Sequence, residues 1–423
     1  MQAASLGKEA GDVLDSLLER IYKGEKPTYD RKLLRATAKD YVEALQRGYG
    51  NDLTGLEWDS PDFATLEKLT ENVYHFSAAK NYHELKDLSM AVRDGNRIRS
   101  FEEFQKEAEA IIGKYNHNWL RAEYNQAVAA AQAGARWNDY KSRSDAMPYL
   151  QYQCVMDGNT RPEHAALHGV IKRIDDPFWD KYYPPNGWGC RCEAVQLPGS
   201  SYKETPDSEI HPPVVVPMFQ MNFGKQGVAF PEGHAYFRRL PEGFAKEAKE
   251  MAREEVRRVI ANAEQYMTLK DNPEYKDVAF DWTSGGVKGA HIEHNFDKKG
   301  GEYEKSVQNA GFKAGHSVIL EKEIHTVFKK RNTEGFWDEK PFEVAGKETA
   351  TANNIRDGLK HCAKKPRCKI AILYFPKGNF DEKTFIDGLN KFNGLKNDPN
   401  QWTRFEKIIC IQNNTIIYEK SHI

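Results

Sequence analysis

The sequence predicts a multidomain fold, with a mainly α-helical N-terminal part and a C-terminal α+β domain that has a small antiparallel sheet. Three observations lead to this prediction. The chain has 423 residues, which is more than a single hydrophobic core usually serves. Its first part carries apolar residues at three- and four-residue intervals, as amphipathic helices do. Beyond Asp271, short helical patterns alternate with runs that are typical of strands.

The N-terminal helices are predicted from apolar spacing and from their end signals. Residues 6–22 and 31–47 have helical spacing, and Gly48-Tyr49-Gly50 follows the second as a stop signal. Ser100-Phe101-Glu102-Glu103 is a capping box that opens a long helix toward Ala135. We expect the apolar stripes of these helices to form core or subunit contacts without chemistry of their own.

The middle of the chain, residues 198–267, is predicted to connect two domains. Residues 198–217 are rich in proline and lack a helical period, so we expect an extended, partly ordered strap. Residues 241–267 interleave acidic and basic side chains with apolar ones, which predicts a solvated amphipathic helix. The predicted domains are therefore 1–197 and 268–423, joined by the connector 198–267.

The C-terminal domain is predicted to alternate short helices with short strands. The predicted helices are 303–311, 349–363 and 381–392. The predicted strands are 317–320, 326–328 and the buried run 369–375, followed by a hairpin of 407–411 and 415–418. Asn413-Asn414 lies at the tip of that hairpin, as expected for a tight turn.

Composition and charge exclude some classes of protein. The mean hydropathy of −0.75 and the 29% of charged residues indicate a polar protein without a membrane span. The first residues lack the layout of a secretory signal, which predicts a cytoplasmic origin. From Gly285 onward the chain has 24 Lys+Arg against 18 Asp+Glu, although the whole chain has a net charge of −1. The tail is therefore the part expected to meet a polyanion.

The segment 152–193 gathers the side-chain types that bind divalent metals. These residues are Cys154, Asp157, His164, His168, Cys190 and Cys192. On one helical turn, His164 and His168 would share a face, and Cys190 and Cys192 follow a Pro-rich turn. This predicts a structural Zn²⁺ held by His164, His168, Cys190 and Cys192. Alternatively, the histidines bond local backbone and the cysteines pack as small apolar groups. A Cys190–Cys192 disulfide would be strained.

The same segment resembles a known protein family. The string 157–164 (DGNTRPEH), then His168-Gly169, then 184–192 (PPNGWGCRC) is similar to the signature of the phage Mu protein F-like head morphogenesis family. The resemblance covers about residues 60 to 197. It implies a minor capsid protein of the virion, made in the bacterial host cytoplasm, with portal and capsid proteins as partners. A histidine that often precedes the family's final Cys-Arg-Cys is absent here, which leaves the ligand set open.

The C-terminal domain has its own dense chemistry between Gly285 and Lys322. The string 286–323 and the later string 329–335 resemble the tRNase tips of contact-dependent inhibition toxins, in the barnase, EndoU, colicin and RelE-like group. The resemblance implies a metal-independent endoribonuclease with RNA, such as tRNA, as substrate and an immunity protein as a further partner. We expect His294 and His316 as the acid and base. The remaining expected residues are His291, Glu304 and Lys322 for catalysis, and Lys329, Lys330, Arg331, Lys364, Lys365 and Arg367 for RNA binding.

Two alternatives to the ribonuclease remain open from the sequence. In the first, the chain is a non-enzymatic capsid protein whose basic tail binds DNA or the portal. In the second, His291, Glu293, His294 and Asp297 bind a divalent ion, and the domain is a metal-dependent nuclease. Cleavage that is insensitive to a chelator would exclude the metal-dependent version.

Overall fold

The computed structural model describes residues 7–50, 60–211, 215–297, 300–322, 333–365, 367–395 and 405–421. The chain divides into two compact units, Met1–Val256 and Arg257–Ile423. The boundary falls within the helix Glu242–Lys270, inside the predicted connector. Residues 198–256 therefore belong to the N-terminal unit.

The first half of the N-terminal unit is helical, as the sequence predicts. Its helices are α1 (Lys8–Tyr22), α2 (Arg31–Tyr49), α3 (Pro61–Ala91), α4 (Phe101–Gly113) and α5 (Leu120–Ser142), with the short strands β1 (Arg93–Asp94) and β2 (Arg97–Ile98) between α3 and α4. Helices α1 to α4 bury one apolar core, in which Leu14, Leu33, Leu85 and Phe104 are fully inaccessible. Burial of such side chains contributes about 1.5–3 kcal/mol each.

The helix predicted from Ser100 to Ala135 is interrupted. Its start is confirmed, because Ser100 accepts from the Glu103 N–H and Glu103 accepts from the Ser100 N–H. At Lys114–Asn118 the helix widens into a π-turn that separates α4 from α5. In this turn the Asn116 side chain donates to buried Glu84 at 2.6 Å. Single-turn π-helical insertions of this kind are rare and frequently occur at functional sites.

Gly48 lies within α2 and does not end it. The helix continues to Tyr49 and is closed by Gly50, whose φ of 111° is left-handed. A Cβ atom at Gly48 would lie 2.5 Å from the Ala131 Cβ on α5. Glycine therefore allows the backbones of α2 and α5 to approach closely.

A small antiparallel sheet carries the Cys/His segment. Its strands are β3 (Tyr149–Gln153), β4 (Ile171–Arg173) and β5 (Glu193–Gln196), in the order β4-β3-β5. The short helices α6 (Pro162–Ala165) and α7 (Phe178–Tyr182) lie in the connections between these strands. The loops after β3 and before β5 thus both leave the same end of this sheet.

The predicted strap consists of irregular chain and short turns. Single 3₁₀ turns occur at Asp207–Glu209 and Pro217–Phe219, followed by α8 (Phe223–Gln226), α9 (Ala235–Arg238) and α10 (Glu242–Lys270). Phe230 stacks on Phe76 of α3 with ring centroids 3.7 Å apart. This part of the chain therefore packs on the helical core and does not stand apart as a linker.

The C-terminal unit is an α+β fold built on a mixed sheet. Its strands are β6 (Tyr275–Asp281), β7 (Gly286–His291), β8 (Ser317–Leu320), β9 (Gly335–Trp337), β10 (Lys340–Gly346), β11 (Ile370–Tyr374), β12 (Lys407–Gln412) and β13 (Thr415–Ser421). Its helices are α11 (Gly301–Lys313), α12 (Ala352–Ala363) and α13 (Glu382–Asn393). Among the described residues these strands form one eight-stranded sheet in the order β13-β12-β11-β10-β9-β8-β7-β6.

The prediction of a small antiparallel sheet is wrong in both size and direction. β7 pairs in parallel with β8, and β11 pairs in parallel with both β10 and β12. Parallel neighbours need a long crossover connection, and α11, α12 and α13 lie in those connections. Because β7, β8, β10, β11 and β12 all run in one direction, they define an edge where they begin, the amino edge, and an edge where they end, the carboxyl edge.

Helices cover both faces of this sheet. α11 packs with Ile370 and Ile372 on one face, whereas α12 and α13 pack with Ala371 and Leu373 on the other. β11 is therefore buried on both sides, which explains its continuous apolar sequence. The predicted buried strand and the helices around it are confirmed.

Several finer expectations are also settled. The terminal hairpin is confirmed, with Asn413 and Asn414 at φ 48° and 61° in its turn. All six cysteines are free. No helix in the described ranges is long and apolar enough to cross a membrane. The predicted strand 326–328 lies outside the described residues.

Candidate functional site

Three of the predicted metal ligands converge in the N-terminal unit. His164 lies on α6, and Cys190 and Cys192 lie in the loop before β5. The His164 Nδ1 atom is 3.7 Å from the Cys190 Sγ and 3.6 Å from the Cys192 Sγ. These ligand atoms all lie within 4.8 Å of one another. The geometry is that of a cluster able to hold one metal ion.

The other ring nitrogen of His164 fixes which atom faces the sulfurs. Nε2 lies 3.3 Å from the Asn186 carbonyl oxygen. A carbonyl only accepts, so Nε2 carries the proton, and in the neutral ring Nδ1 presents its lone pair to the thiols. His164 is only 2% exposed, which holds the ring in this orientation.

His168 lies outside the cluster, and Cys154 takes its place. Helix α6 ends at Ala165, so His168 follows in a turn and does not share a helical face with His164. The His168 Nδ1 accepts from the Cys154 backbone N–H at 3.0 Å. The Cys154 Sγ lies 3.1 Å from the Cys192 Sγ. Cys154 therefore borders the group of His164, Cys190 and Cys192 through its contact with the Cys192 sulfur.

Two thiols at this cluster, those of Cys190 and Cys154, have raised pKa values. A hydrogen bond with Cys192, together with burial, raises the pKa of Cys190 to about 12. Burial also raises the pKa of Cys154. A nucleophilic cysteine needs a lowered pKa, so this cluster is unsuited to thiol catalysis.

The surrounding signature residues hold the two loops together. Asp157 forms a bidentate ion pair with Arg191 at 2.6 and 2.5 Å, which lowers the pKa of Asp157. Arg161 donates to the Trp188 carbonyl at 2.6 Å. A Cβ at Gly187 would lie 3.1 Å from the Arg161 guanidinium. These contacts explain why aspartate, arginine and glycine occupy these positions.

A buried charge cluster on the helices was missed by sequence reasoning. Lys80 on α3 is fully buried and lies 2.7 Å from Glu123 on α5. Tyr41 donates to the same carboxylate at 2.6 Å. Glu84 lies one helical turn after Lys80. Burial raises the pKa of Glu84 to about 7, although the positive charge of Lys80 lowers it. The sequence signal for this cluster is a charged residue within each apolar stripe.

A cavity lies against this charge cluster. It has a volume of about 350 Å³ and is lined by Trp119, Glu123, Trp188, His234 and Tyr236, among others. Burial lowers the pKa of His234 to about 4, so this ring is neutral at neutral pH. The cavity combines aromatic walls with one buried carboxylate.

In the C-terminal unit, four of the five predicted catalytic residues gather at the carboxyl edge. His294 is buried, with Nδ1 2.8 Å from the Glu321 carbonyl and Nε2 2.9 Å from Glu304. Together with His294 and Glu304, Glu334 forms a group of side chains that could hold a metal ion. His291 ends β7, and exposed Lys322 forms an ion pair with Glu293. Ligands of open α/β sheets commonly bind at this edge.

His316 lies at the opposite, amino edge. Its Nδ1 is 2.6 Å from an Asp338 carboxylate oxygen. Burial acts to raise the pKa of Asp338, but His316 and the Ser317 N–H lower it on balance. Four residues of β8 lie between His316 and Glu321, and the five steps at about 3.3 Å per residue span about 16 Å. The structure does not bring His294 and His316 together.

The predicted RNA-binding residues fall in two groups. Lys364, Lys365 and Arg367 lie between α12 and β11, at the amino edge. Lys365 contacts the buried Glu343 carboxylate at 3.0 Å, and His361 contacts the same oxygen at 2.9 Å. The other Glu343 oxygen, Oε2, is buried without a hydrogen bond to the described residues. Lys329, Lys330 and Arg331 lie outside the described residues.

Comparison with known proteins gives a partial match. Residues 85–195 match the family described as "Phage Mu protein F like protein". A protein of Escherichia phage Mu named "Putative capsid assembly protein F" is 46% identical over 81 residues, 19% of this chain and 18% of that protein. The "Mu-like prophage FluMu F protein" of Haemophilus influenzae is 48% identical over 67 residues, 16% of each chain. Each match thus spans less than a fifth of the relative. No solved structure matches significantly.

Proposed function

We propose that this chain is a head-assembly protein of a phage or prophage, because residues 85–195 are a Phage Mu protein F-like segment. In this proposal it is a minor capsid component that contacts portal and capsid proteins within the virion. It is made in the bacterial cytoplasm and joins the head there. The similarity to a protein named for capsid assembly carries the proposal.

The contacts of the matched segment fit an assembly role better than a catalytic one. Among the signature residues, Asp157 pairs with Arg191, and Arg161 donates to the Trp188 carbonyl. Both contacts lie within the matched segment. They therefore hold two loops in a fixed shape. A fixed shape lowers the conformational cost of binding a partner.

Co-assembly with the head tests this proposal. The chain is co-expressed with the portal and major capsid proteins of the same phage genome, and the particles are separated by sedimentation. We expect the parent chain in the particle fraction and a reduced amount of Arg191→Met, which loses the Asp157 pair. Arg136→Met is the matched control, because it removes an exposed pair with Glu193. A parent chain that stays with the soluble protein would contradict the proposal.

We further propose that the C-terminal unit cleaves RNA at the amino edge of its sheet. The supporting observation is that the His316–Asp338 pair and the basic residues Lys364 and Arg367 lie at the same edge. Asp338 at Nδ1 would orient the imidazole, as a carboxylate does in other acid–base sites. His316 would take the 2′-hydroxyl proton as the 2′-oxygen attacks phosphorus, and the basic residues would hold the phosphate. The P–O5′ bond would break to leave a 2′,3′-cyclic phosphate, and solvent would protonate the leaving 5′-oxygen. An immunity protein would cover this edge.

Incubation with total bacterial RNA in the presence of a chelator tests the second proposal. His316→Asn should lower cleavage at least about 100-fold, the usual contribution of general acid–base catalysis. His291→Asn, at the opposite edge, should cleave like the parent chain. Loss of cleavage with chelator would favour a metal at His294, Glu304 and Glu334. Salt-dependent nucleic-acid binding without cleavage would favour the non-enzymatic alternative.

A further inference from the structure

We infer that Cys154, His164, Cys190 and Cys192 bind one Zn²⁺ ion as a Cys₃His structural site. The site replaces the predicted Cys₂His₂ set, with Cys154 in the position expected for His168. It rests on the side-chain geometry of the N-terminal unit and is independent of the proposed assembly and nuclease functions.

The distances from the His164 Nδ1 to the Cys190 and Cys192 sulfurs match the edges of a zinc tetrahedron. With Zn–S near 2.3 Å and Zn–N near 2.0–2.1 Å, tetrahedral angles place sulfur and nitrogen ligands about 3.6 Å apart. The Sγ atoms of Cys190 and Cys192 lie 3.7 and 3.6 Å from the His164 Nδ1. Two thiolates on one zinc are about 3.8 Å apart by the same geometry. The Cys154 and Cys192 sulfurs, at 3.1 Å, need to separate by less than 1 Å. The Cys154 Sγ also lies outside the group of ligand atoms within 4.8 Å of one another, so it must turn from the His164 carbonyl oxygen, to which it donates at 3.1 Å, toward the other two ligands.

Each of the two histidines already has a defined role. His164 has a proton on Nε2, which faces the Asn186 carbonyl, and a lone pair on Nδ1. A metal-bound histidine commonly has such a partner on its second nitrogen. The His168 Nδ1 instead accepts from the Cys154 N–H, and its ring is exposed. His168 therefore positions the Cys154 backbone and does not bind the metal.

Zinc binding is balanced by proton release. Three thiols lose their protons to solvent as three Zn–S bonds form, and neutral His164 donates its Nδ1 lone pair without losing a proton. Arg191 lies between the two cysteines, and its ion pair with Asp157 directs its side chain away from the cluster. A cavity of about 190 Å³ lined by Gln132, Arg136 and both cysteines gives the ion a way in.

The ion would join three chain segments that have little secondary structure. Cys154 follows β3, His164 lies on the four-residue α6, and the remaining two ligands precede β5. Closing these loops removes conformational freedom from the unfolded chain. A structural zinc therefore stabilises the segment that carries the signature residues.

Metal content and Co²⁺ substitution of the full chain test the inference. The purified protein should contain about one zinc per chain. After chelation, Co²⁺ alone should give the absorption of a tetrahedral site with three thiolates. In Cys154→Ser the thiolate-to-cobalt absorption should fall as one thiolate is lost, and zinc affinity should fall more than 100-fold. His168→Ala should keep the parent three-thiolate spectrum, with at most the 10- to 100-fold lower zinc affinity that is typical when a residue that orients a ligand is removed.

Three outcomes would overturn the inference. One is a protein that binds neither ion and whose melting temperature is unchanged by chelator. Another is a Cys154–Cys192 disulfide in freshly purified protein, detected by mass spectrometry after thiol alkylation. The third is a parent-like spectrum for Cys154→Ser together with loss of metal in His168→Ala. Because spectra and stoichiometry are measured on folded protein, circular dichroism of each variant accompanies them.

Discussion

Lys80 and Glu123 form the most deeply buried ion pair among the described residues of the N-terminal unit. Their side chains are 0% and 5% exposed, and Tyr41 hydrogen-bonds both partners. Removing one member of such a pair leaves the other charge without compensation in a medium of low polarity. The stability of the helical core therefore depends on keeping both.

Lys80→Met should lower the free energy of unfolding by about 3–5 kcal/mol, because Glu123 loses its counter-charge. Urea denaturation followed by circular dichroism measures the change. Lys86→Met, an exposed position on the same helix, should change stability by less than about 0.5 kcal/mol. Adding Glu123→Gln to Lys80→Met should recover part of the loss. Equal free energies of unfolding for Lys80→Met and Lys86→Met would contradict this account.

Glu84→Gln should remove a pH-dependent loss of stability. Burial raises the pKa of Glu84 to about 7, above its usual value of about 4.3. The folded state therefore holds this proton more tightly than the unfolded state. The associated stability is complete below the unfolded pKa and is lost as the pH rises through about 7. The Gln variant keeps an acceptor for Asn116 and has no proton to lose.

The measurement compares free energies of unfolding at pH 5 and pH 8. Relative to the parent, the free energy of unfolding of Glu84→Gln should be about 2 kcal/mol more favourable at pH 8 than at pH 5. Glu67→Gln, at an exposed position on the same helix, should give the same small difference at both pH values. A pH-independent difference for Glu84→Gln would contradict a pKa for this carboxyl between pH 5 and pH 8.

At the scale of elements, end signals were more reliable than element lengths. The capping box at Ser100 and the Asn-Asn hairpin turn are confirmed because their hydrogen bonds and dihedral angles are local. The interruption of the long helix at Lys114–Asn118 depends on Glu84, which lies about 30 residues earlier in the chain. No pattern within the helix itself indicates such a partner.

Ser100→Ala should destabilise the chain by about 1 kcal/mol, since α4 loses a hydrogen bond to its free N–H groups. The control is Ser16→Ala, because that exposed hydroxyl donates only to a carbonyl of its own helix. Thermal denaturation distinguishes them through the size of the melting-temperature change. Equal shifts for the two variants would mean that the capping box contributes nothing beyond an ordinary helix serine.

At the scale of the whole molecule, two separate cores predict two unfolding transitions. Each unit buries its own apolar residues. Calorimetry should resolve the transitions, with Lys80→Met lowering one and Thr351→Ala, which removes the cap of α12, lowering the other. If the inferred zinc site is occupied, chelator should lower only the transition that Lys80→Met lowers, since Cys190 and Cys192 lie in the same unit. A single transition moved by both variants would contradict this prediction.

The direction of the C-terminal strands was not predictable from local patterns. The apolar sequence of a strand such as β11 indicates that the strand is buried. It does not indicate which strands are its neighbours in the sheet. Pairing is decided by where the crossover helices return the chain. The same topology places His294 and His316 at opposite edges, although only 21 residues separate them in the sequence.

The sequence by itself determined the helical and α+β parts, most helix and strand positions of the described chain and the similarity to the phage head family. These properties follow from spacing, end signals and side-chain types, which are local. Only the tertiary structure decided that Cys154 joins the cluster in place of His168, that Lys80 and Glu123 form a buried pair, and that the C-terminal sheet is mixed. Those outcomes depend on which distant segments pack together, because a ligand set or a buried pair is defined by distances in space.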